Sequence, residues 1–137
     1  MRKQTVGIVL LIAAAVSIAH YTDNYVNYED YPQSRTLPNP TAGTVLAAWF
    51  VFTIPGLVGY LLIRRAPSTL ALVLLAFYSG SGLIGLGHYL VPGATDMVWW
   101  RQLHIGLDIC SGLAVLGVVV WVARHRSPSR QRPPEPR

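Results

Sequence analysis

The sequence is poor in cysteine and in charge, and each shortage excludes a class of protein. Cys110 is the only cysteine among the 137 residues, which excludes an intramolecular disulfide and dithiol redox chemistry. Only 12% of the residues are charged, whereas a soluble domain carries about 25%. Since 52% of the residues are hydrophobic, the composition indicates a membrane protein with a single domain.

Long apolar stretches dominate the chain instead. A helix needs roughly 20 residues to cross the hydrocarbon core of a bilayer. The three later stretches reach this length, and the first does so only if its helix continues through His20 toward Tyr25. Charged residues, prolines and glycines separate the stretches, as expected of turns at the water interface. The predicted segments are residues 5 to about 19, 41–63, 68–91 and 97–123.

The positive charges predict an orientation. Four crossings place both termini and the connection between the second and third segments on one side, which then holds nine of the eleven Lys and Arg residues. The positive-inside rule puts that side in the cytoplasm. The sequence therefore predicts an all-α, multi-pass protein of the cell membrane, an antiparallel bundle of four transmembrane helices with both termini cytoplasmic. The nine residues are Arg2, Lys3, Arg64, Arg65, Arg124, Arg126, Arg130, Arg132 and Arg137.

Both ends of the chain bear on the domain boundaries. Residues 124–137 are rich in Arg, Pro, Ser and Gln, which predicts a disordered basic cytoplasmic tail after one transmembrane domain over residues 1–123. Residues 1–19 also fit a cleavable signal peptide with a small-x-small cleavage site. Cleavage would make His20 the N-terminus, where its amine and ring could chelate copper. We prefer an uncleaved anchor because the apolar core is long.

Histidines and acids gather in the outer half of this arrangement. His20 ends the first segment, His88 lies near the outer end of the third, and His104 lies one to two turns inside the fourth. Asp108 is four residues further on, hence one turn deeper on the same helical face as His104. An ionised carboxylate at that depth costs about 2.5–3.5 kcal/mol, so Asp108 should face the bundle interior and find a partner.

Two kinds of chemistry fit these residues. Imidazoles with carboxylates are ligands for zinc, copper or iron, so every acid and histidine of the site is a candidate metal ligand. A histidine beside an aspartate can also transfer protons, which makes His104 and Asp108 a candidate catalytic pair. The alternative is structural, with polar side chains that hydrogen-bond between helices. The candidate site comprises His20, Asp23, Asn24, His88, His104 and Asp108.

The third segment also carries a small-residue face. Ser81 and Gly85 form a small-xxx-small pair, which permits close packing between helices. The partner is the first segment, the fourth segment, a second copy of the chain or another membrane protein. Cys110 shares no face with His104, and we interpret it as a small core residue rather than a ligand.

Three stretches carry a resemblance to other proteins. HYTDNYVNYEDYP follows the first segment, GLGHY closes the third and WWRQLHIGLD opens the fourth. Together they resemble small four-helix integral membrane proteins of actinobacterial type, over most of the chain except the tail. The resemblance implies the architecture and no activity.

The leading hypothesis for function is a polar His/Asp site in the outer half of the bundle that binds a metal ion or processes a lipophilic small molecule. The alternative is a non-catalytic subunit of a larger membrane complex. The inner half lacks matching polar residues, which argues against a channel or pump. The expected surroundings are a lipid bilayer, and no nucleic-acid partner is expected.

Overall fold

Four long helices make up the protein. The computed structural model describes residues 3–36 and 38–125, and these include helices α1 (Lys3–Val26), α2 (Ala42–Arg65), α3 (Thr69–Leu83) and α4 (Trp99–His125). Short 3₁₀ helices occupy Tyr28–Asp30, Ile84–Leu90 and Ala94–Asp96. The four helical spans that are long and apolar enough to cross a membrane are Gln4–Val26, Ala42–Arg65, Thr69–Leu90 and Trp99–His125. The prediction of an all-helical chain with four such segments is confirmed.

Local sequence explains where the helices begin and end. The Thr41 hydroxyl accepts a hydrogen bond from the Thr44 backbone N–H at 3.1 Å, and Ser68 caps α3 in the same way. α2 ends at Arg65, because the next residue, Ala66, precedes a proline and is extended. The first segment does continue through His20, since α1 runs to Val26. This continuation makes α1 as long as α2 and brings the polar residues after Ala19 onto a helix.

At the other end of the chain, α4 extends beyond the predicted segment. It ends at His125 rather than residue 123. The His125 ring stacks on Trp121 with centroids 4.3 Å apart, and its Nδ1 lies 2.8 Å from the Trp121 carbonyl oxygen. These contacts stabilise the last turn of α4, so the helix continues two residues into the predicted tail. The rest of that tail, residues 126–137, lies outside the described residues.

The helices contact one another in a closed ring, in which α1 packs on α2, α2 on α3, α3 on α4 and α4 on α1. The closest approach lies between α3 and α4. A Cβ atom added to Gly82 would lie 2.1 Å from the main-chain oxygen of Asp108, and one on Gly112 would lie 2.7 Å from that of Ser79. Only glycine permits such main-chain contact.

The small-residue face is filled from within the chain. Ser81 lies 3% exposed beside Tyr21 of α1, and the Gly85 backbone packs on Ile105 and Ile109 of α4. Within the described residues, this face therefore packs on α1 and α4. Cys110, by contrast, is exposed on α4, so the prediction of a core cysteine is wrong: the face that lacks His104 also points away from the bundle.

Unlike a soluble bundle, this protein carries large apolar side chains on its outside as well as in its interior. The interior is narrow and centred on Leu75, Ile105 and Val115, each 1% exposed or less. Large apolar side chains also cover the outside, for example Leu11 at 72% and Leu90 at 79% exposure. Polar side chains instead gather at one end of the bundle, formed by residues 20–48 and 84–104, which we call the polar end.

Candidate ligand pocket and buried polar groups

A pocket of about 300 Å³ opens at the polar end. It lies between the end of α1, the connection to α2, the start of α2 and the 3₁₀ helix Ile84–Leu90. Its volume is at the lower limit of small-molecule sites, which are mostly apolar with a few convergent polar groups. Its walls include Val45, Ala48, Ile84, Gly85, Pro32, Pro40 and Val91 together with the polar residues His20, Asn24, Tyr28, Tyr31, Gln33, Asn39 and His88.

Two of the predicted histidines meet in this pocket. The rings of His20 and His88 contact edge to face, with centroids 5.5 Å apart. The Asn24 side-chain amide donates to Nε2 of His88 at 3.3 Å, and the Tyr31 ring lies 5.3 Å from the same imidazole. His88 is thus held in place from two sides, with Nδ1 left to carry the hydrogen of the neutral ring.

His20 is the least satisfied polar group of the pocket. It is 3% exposed, and its Nδ1 has no hydrogen-bond partner within the described residues. A buried polar atom without a partner costs about 1–3 kcal/mol. A ligand or an ordered water that reached Nδ1 would recover that cost, which makes His20 a candidate recognition residue of the pocket.

Asp23 has a different role from the one the sequence predicts. Its carboxylate accepts hydrogen bonds from the Asn27 amide and the Tyr31 hydroxyl, each at 2.6 Å, and pairs with Arg101 Nε at 3.4 Å. Burial and the bond to Asp23 raise the pKa of the Tyr31 phenol, which therefore stays a donor. The oxygens of Asp23 are occupied by Asn27, Tyr31 and Arg101, so this acid stabilises the connection between α1 and α2 rather than binding a ligand in the pocket.

Arg101 is the residue of the polar end whose role sequence reasoning missed. Its Nη2 donates to Asp30 at 2.6 Å, and its guanidinium lies over the rings of Tyr31 and Trp100, at 5.4 and 4.7 Å from their centroids. Arg101 thus ties the start of α4 to the segment after α1. The available clue was charge: the predicted outer side carries four acids but only Arg35 and Arg101 as cations.

Asp108 and His104 lie apart from the pocket. Asp108 is 1% exposed, and neither carboxylate oxygen has a hydrogen-bond partner in the described part of the chain. The Ser111 hydroxyl donates at 2.8 Å to the main-chain carbonyl of Asp108, not to its side chain. The His104 ring contacts Trp100 edge to face, and its Nδ1 is also buried without a partner. The predicted catalytic pair is therefore not hydrogen-bonded.

The five predicted metal ligands do not share one site. Among residues 3–36 and 38–125, no group of three or more His, Cys, Asp or Glu side chains lies close enough together to hold a metal ion. Only His20 and His88 contact each other, whereas Asp23 is bound to Arg101. The sequence predicts that these residues lie in one half of the bundle, but each helix turns its polar stripe toward a different neighbour.

Comparison with known proteins adds no assignment to this geometry. The chain matches no protein-family model, no curated protein and no solved structure.

Proposed function

We propose that this chain is an integral membrane protein that binds a lipophilic small molecule bearing a hydroxyl or carbonyl group in the pocket at its polar end. The observation that carries the proposal is the pocket itself, a mostly apolar cavity of about 300 Å³ lined in part by His20, whose buried Nδ1 has no hydrogen-bond partner within the described residues. The helices cross the membrane as an antiparallel bundle, with both termini cytoplasmic and the polar end facing outward.

The outer surface of the helices supports the membrane part of the proposal. The four candidate spans have mean hydropathies of 1.9–2.2, and at most 44% of any span's most apolar window is buried within the protein. Helices that are apolar all round are suited to lipid, because exposed apolar faces of this size would drive a soluble chain to associate. The arginine distribution along the sequence supports the orientation.

The chemistry of the pocket wall supports the ligand class. Most of the wall is aliphatic or aromatic carbon, which favours a lipophilic molecule taken from the outer leaflet. Nδ1 of a neutral imidazole is a donor in one tautomer and an acceptor in the other. A hydroxyl group satisfies either tautomer and a carbonyl satisfies the donor form, so a ligand with one such group would pair with His20.

A matched pair of variants tests the pocket. Ala48 lines it, whereas the preceding Ala47 is exposed outside it. We expect menthol to raise the melting temperature of the purified protein more than p-menthane, which has the same skeleton without the hydroxyl. Ala48→Trp should abolish the response by filling the cavity, and Ala47→Trp should retain it.

The outcome also separates recognition from simple partitioning. His20→Phe keeps the ring volume but removes Nδ1, so menthol should lose its advantage over p-menthane. Equal responses of the wild type, Ala48→Trp and Ala47→Trp would show that the probes dissolve in the detergent or bind elsewhere. No stabilisation of the wild type by either probe would contradict the proposal.

A further inference from the structure

A groove between α1 and α2 lies at the end of the bundle opposite the polar end. Its volume is about 850 Å³, and its walls extend from Gln4 to Ala14 on α1 and from Thr53 to Arg64 on α2. At about 1.5 Å per residue, each stretch is about 15–17 Å long. This length is close to half of the roughly 30 Å hydrocarbon core of a bilayer, so the α1–α2 groove has the length of one leaflet.

Two glycines leave this groove unfilled. Gly56 of α2 presents only its backbone, and an added Cβ atom would lie 2.5 Å from Cγ of Tyr78, whose ring comes from α3. Gly7 of α1 faces the Tyr60 hydroxyl oxygen, which lies 3.2 Å from where a Cβ atom of Gly7 would be. The remaining lining is mostly aliphatic, and exposed side chains such as Leu57 form its rim. Such a surface suits a hydrocarbon chain that enters from the surrounding lipid.

The end of the groove at Arg64, which we call its mouth, is positively charged. The Arg64 guanidinium lies over the Tyr60 ring, 5.7 Å from its centroid, and Gln4 of α1 lines the same end. A guanidinium stays charged and forms paired hydrogen bonds with phosphate oxygens. No acid among the described residues lies near the mouth, so it favours a phosphate group. The described acids are Asp23, Glu29, Asp30 and Asp96 at the polar end and Asp108, which is buried between α3 and α4.

We propose that the α1–α2 groove binds an anionic phospholipid, with one acyl chain between the helices and the phosphate at Arg64. The chain matches the apolar walls and their length, and the negative headgroup matches the charge at the mouth. A second copy of the protein is a poorer occupant, since two copies with the same orientation in a membrane would bring their Arg64 side chains together. The proposal rests on the membrane-spanning part of the proposed function and is independent of the pocket at the polar end.

The lipid-dependent stability of the full chain tests recognition of the headgroup. The purified protein in dodecyl maltoside is titrated with dioleoyl phosphatidylglycerol or dioleoyl phosphatidylcholine, which share their acyl chains and differ in headgroup charge. A ligand that binds only the folded state raises stability with its concentration. The melting temperature should therefore rise saturably, and phosphatidylglycerol should reach half-saturation at the lower concentration.

Arg64→Gln removes the charge at the mouth. It should raise the half-saturating concentration of phosphatidylglycerol about tenfold, as expected for one lost charged hydrogen bond. Arg124→Gln is the matched control, because it changes an exposed arginine of α4 outside the groove. This control should respond to phosphatidylglycerol as the wild type does.

A second pair of substitutions tests the binding of the acyl chain. Ala14 lines the deep end of the groove, whereas the following Ala15 is exposed outside it. Ala14→Trp should abolish the response to both lipids by filling the groove, and Ala15→Trp should retain it. Both variants should keep the menthol response of the polar end, which distinguishes a loss of lipid binding from failure of the proposed function.

Several outcomes would overturn the proposal. Equal half-saturating concentrations of the two lipids for the wild type would exclude recognition of the headgroup, and an unchanged response of Arg64→Gln would exclude this arginine. Equal responses of Ala14→Trp and Ala15→Trp would place the lipid elsewhere on the helices. A concentration-dependent dimer that Ala14→Trp dissociates would assign the groove to a second copy instead.

Discussion

The contact between α3 and α4 makes Gly82→Ala the most informative single substitution. The added methyl carbon would lie 2.1 Å from the main-chain oxygen of Asp108 and 3.0 Å from the main-chain nitrogen of Gly112. Both atoms belong to a helix backbone and cannot rotate away. The two helices must therefore move apart by about 1 Å, since real Cβ contacts essentially never fall under 3.0 Å.

The magnitude follows from what that movement disturbs. Overpacking a tight interior costs about 1–3 kcal/mol in strain. The separation also loosens the contacts of Ile105 and Val115, which are 0% and 1% exposed. With this lost packing included, we expect Gly82→Ala to lower the free energy of unfolding by about 2–4 kcal/mol.

Gly117→Ala is the matched control on α4. An added Cβ atom at Gly117 meets nothing within 4 Å, so the substitution removes only the helix-breaking tendency of glycine. The control should be neutral or more stable by up to about 1 kcal/mol. Denaturant unfolding in micelles, followed by tryptophan fluorescence, measures both variants. A Gly82→Ala protein as stable as Gly117→Ala, with unchanged helix content, would refute the main-chain contact between α3 and α4.

Three further outcomes are expected. Arg101→Gln should lower the free energy of unfolding by about 1.5–3 kcal/mol, because it breaks charged hydrogen bonds and an ion pair. Arg35→Gln on the exposed connection should change it little. Equal melting curves of the two variants would contradict the Arg101 network. Tyr21→Phe should cost about 1 kcal/mol through the lost bond to Ser81, and the exposed Tyr25→Phe almost nothing, both by denaturant titration. Reporter fusions at the C-terminus should be active only on the cytoplasmic side, and external activity would reverse the proposed orientation.

The helices themselves could be predicted from the sequence, because their determinants are local. Apolar length, the capping residues Thr41 and Ser68 and the Ala66-Pro67 break set α2 and the span Thr69–Leu90 almost as predicted, although this span changes from α-helix to 3₁₀ helix after Leu83. The end of α1 was conditional in the sequence, since the polar residues after Ala19 are equally compatible with a loop. Tertiary contacts of Asp23 and Asn24 decided that the helix continues.

The composition of the candidate site depended on the tertiary structure. The position of each histidine along its segment, with crossings that alternate in direction, is enough to place His20 and His88 at the same end. Helical spacing adds only which residues of one helix share a face. It does not show how each helix is rotated against its neighbours. The rotation of each helix about its axis brings Asn24 to His88 and Arg101 to Asp23. The same rotation leaves the Asp108 carboxylate without a hydrogen-bond partner among the described residues.

The position of Asp108 along α4 explains why this residue does not join the pocket. The glycines of α3 and α4 allow their backbones to touch at Asp108, which seals that carboxylate among serines instead of exposing it to the pocket. The sequence by itself determined four apolar helices and a polar end, because hydrophobic length and charge act locally. The tertiary structure alone divided the polar residues into a pocket, an ion-pair network and the separately buried Asp108, because that division depends on which backbones can approach.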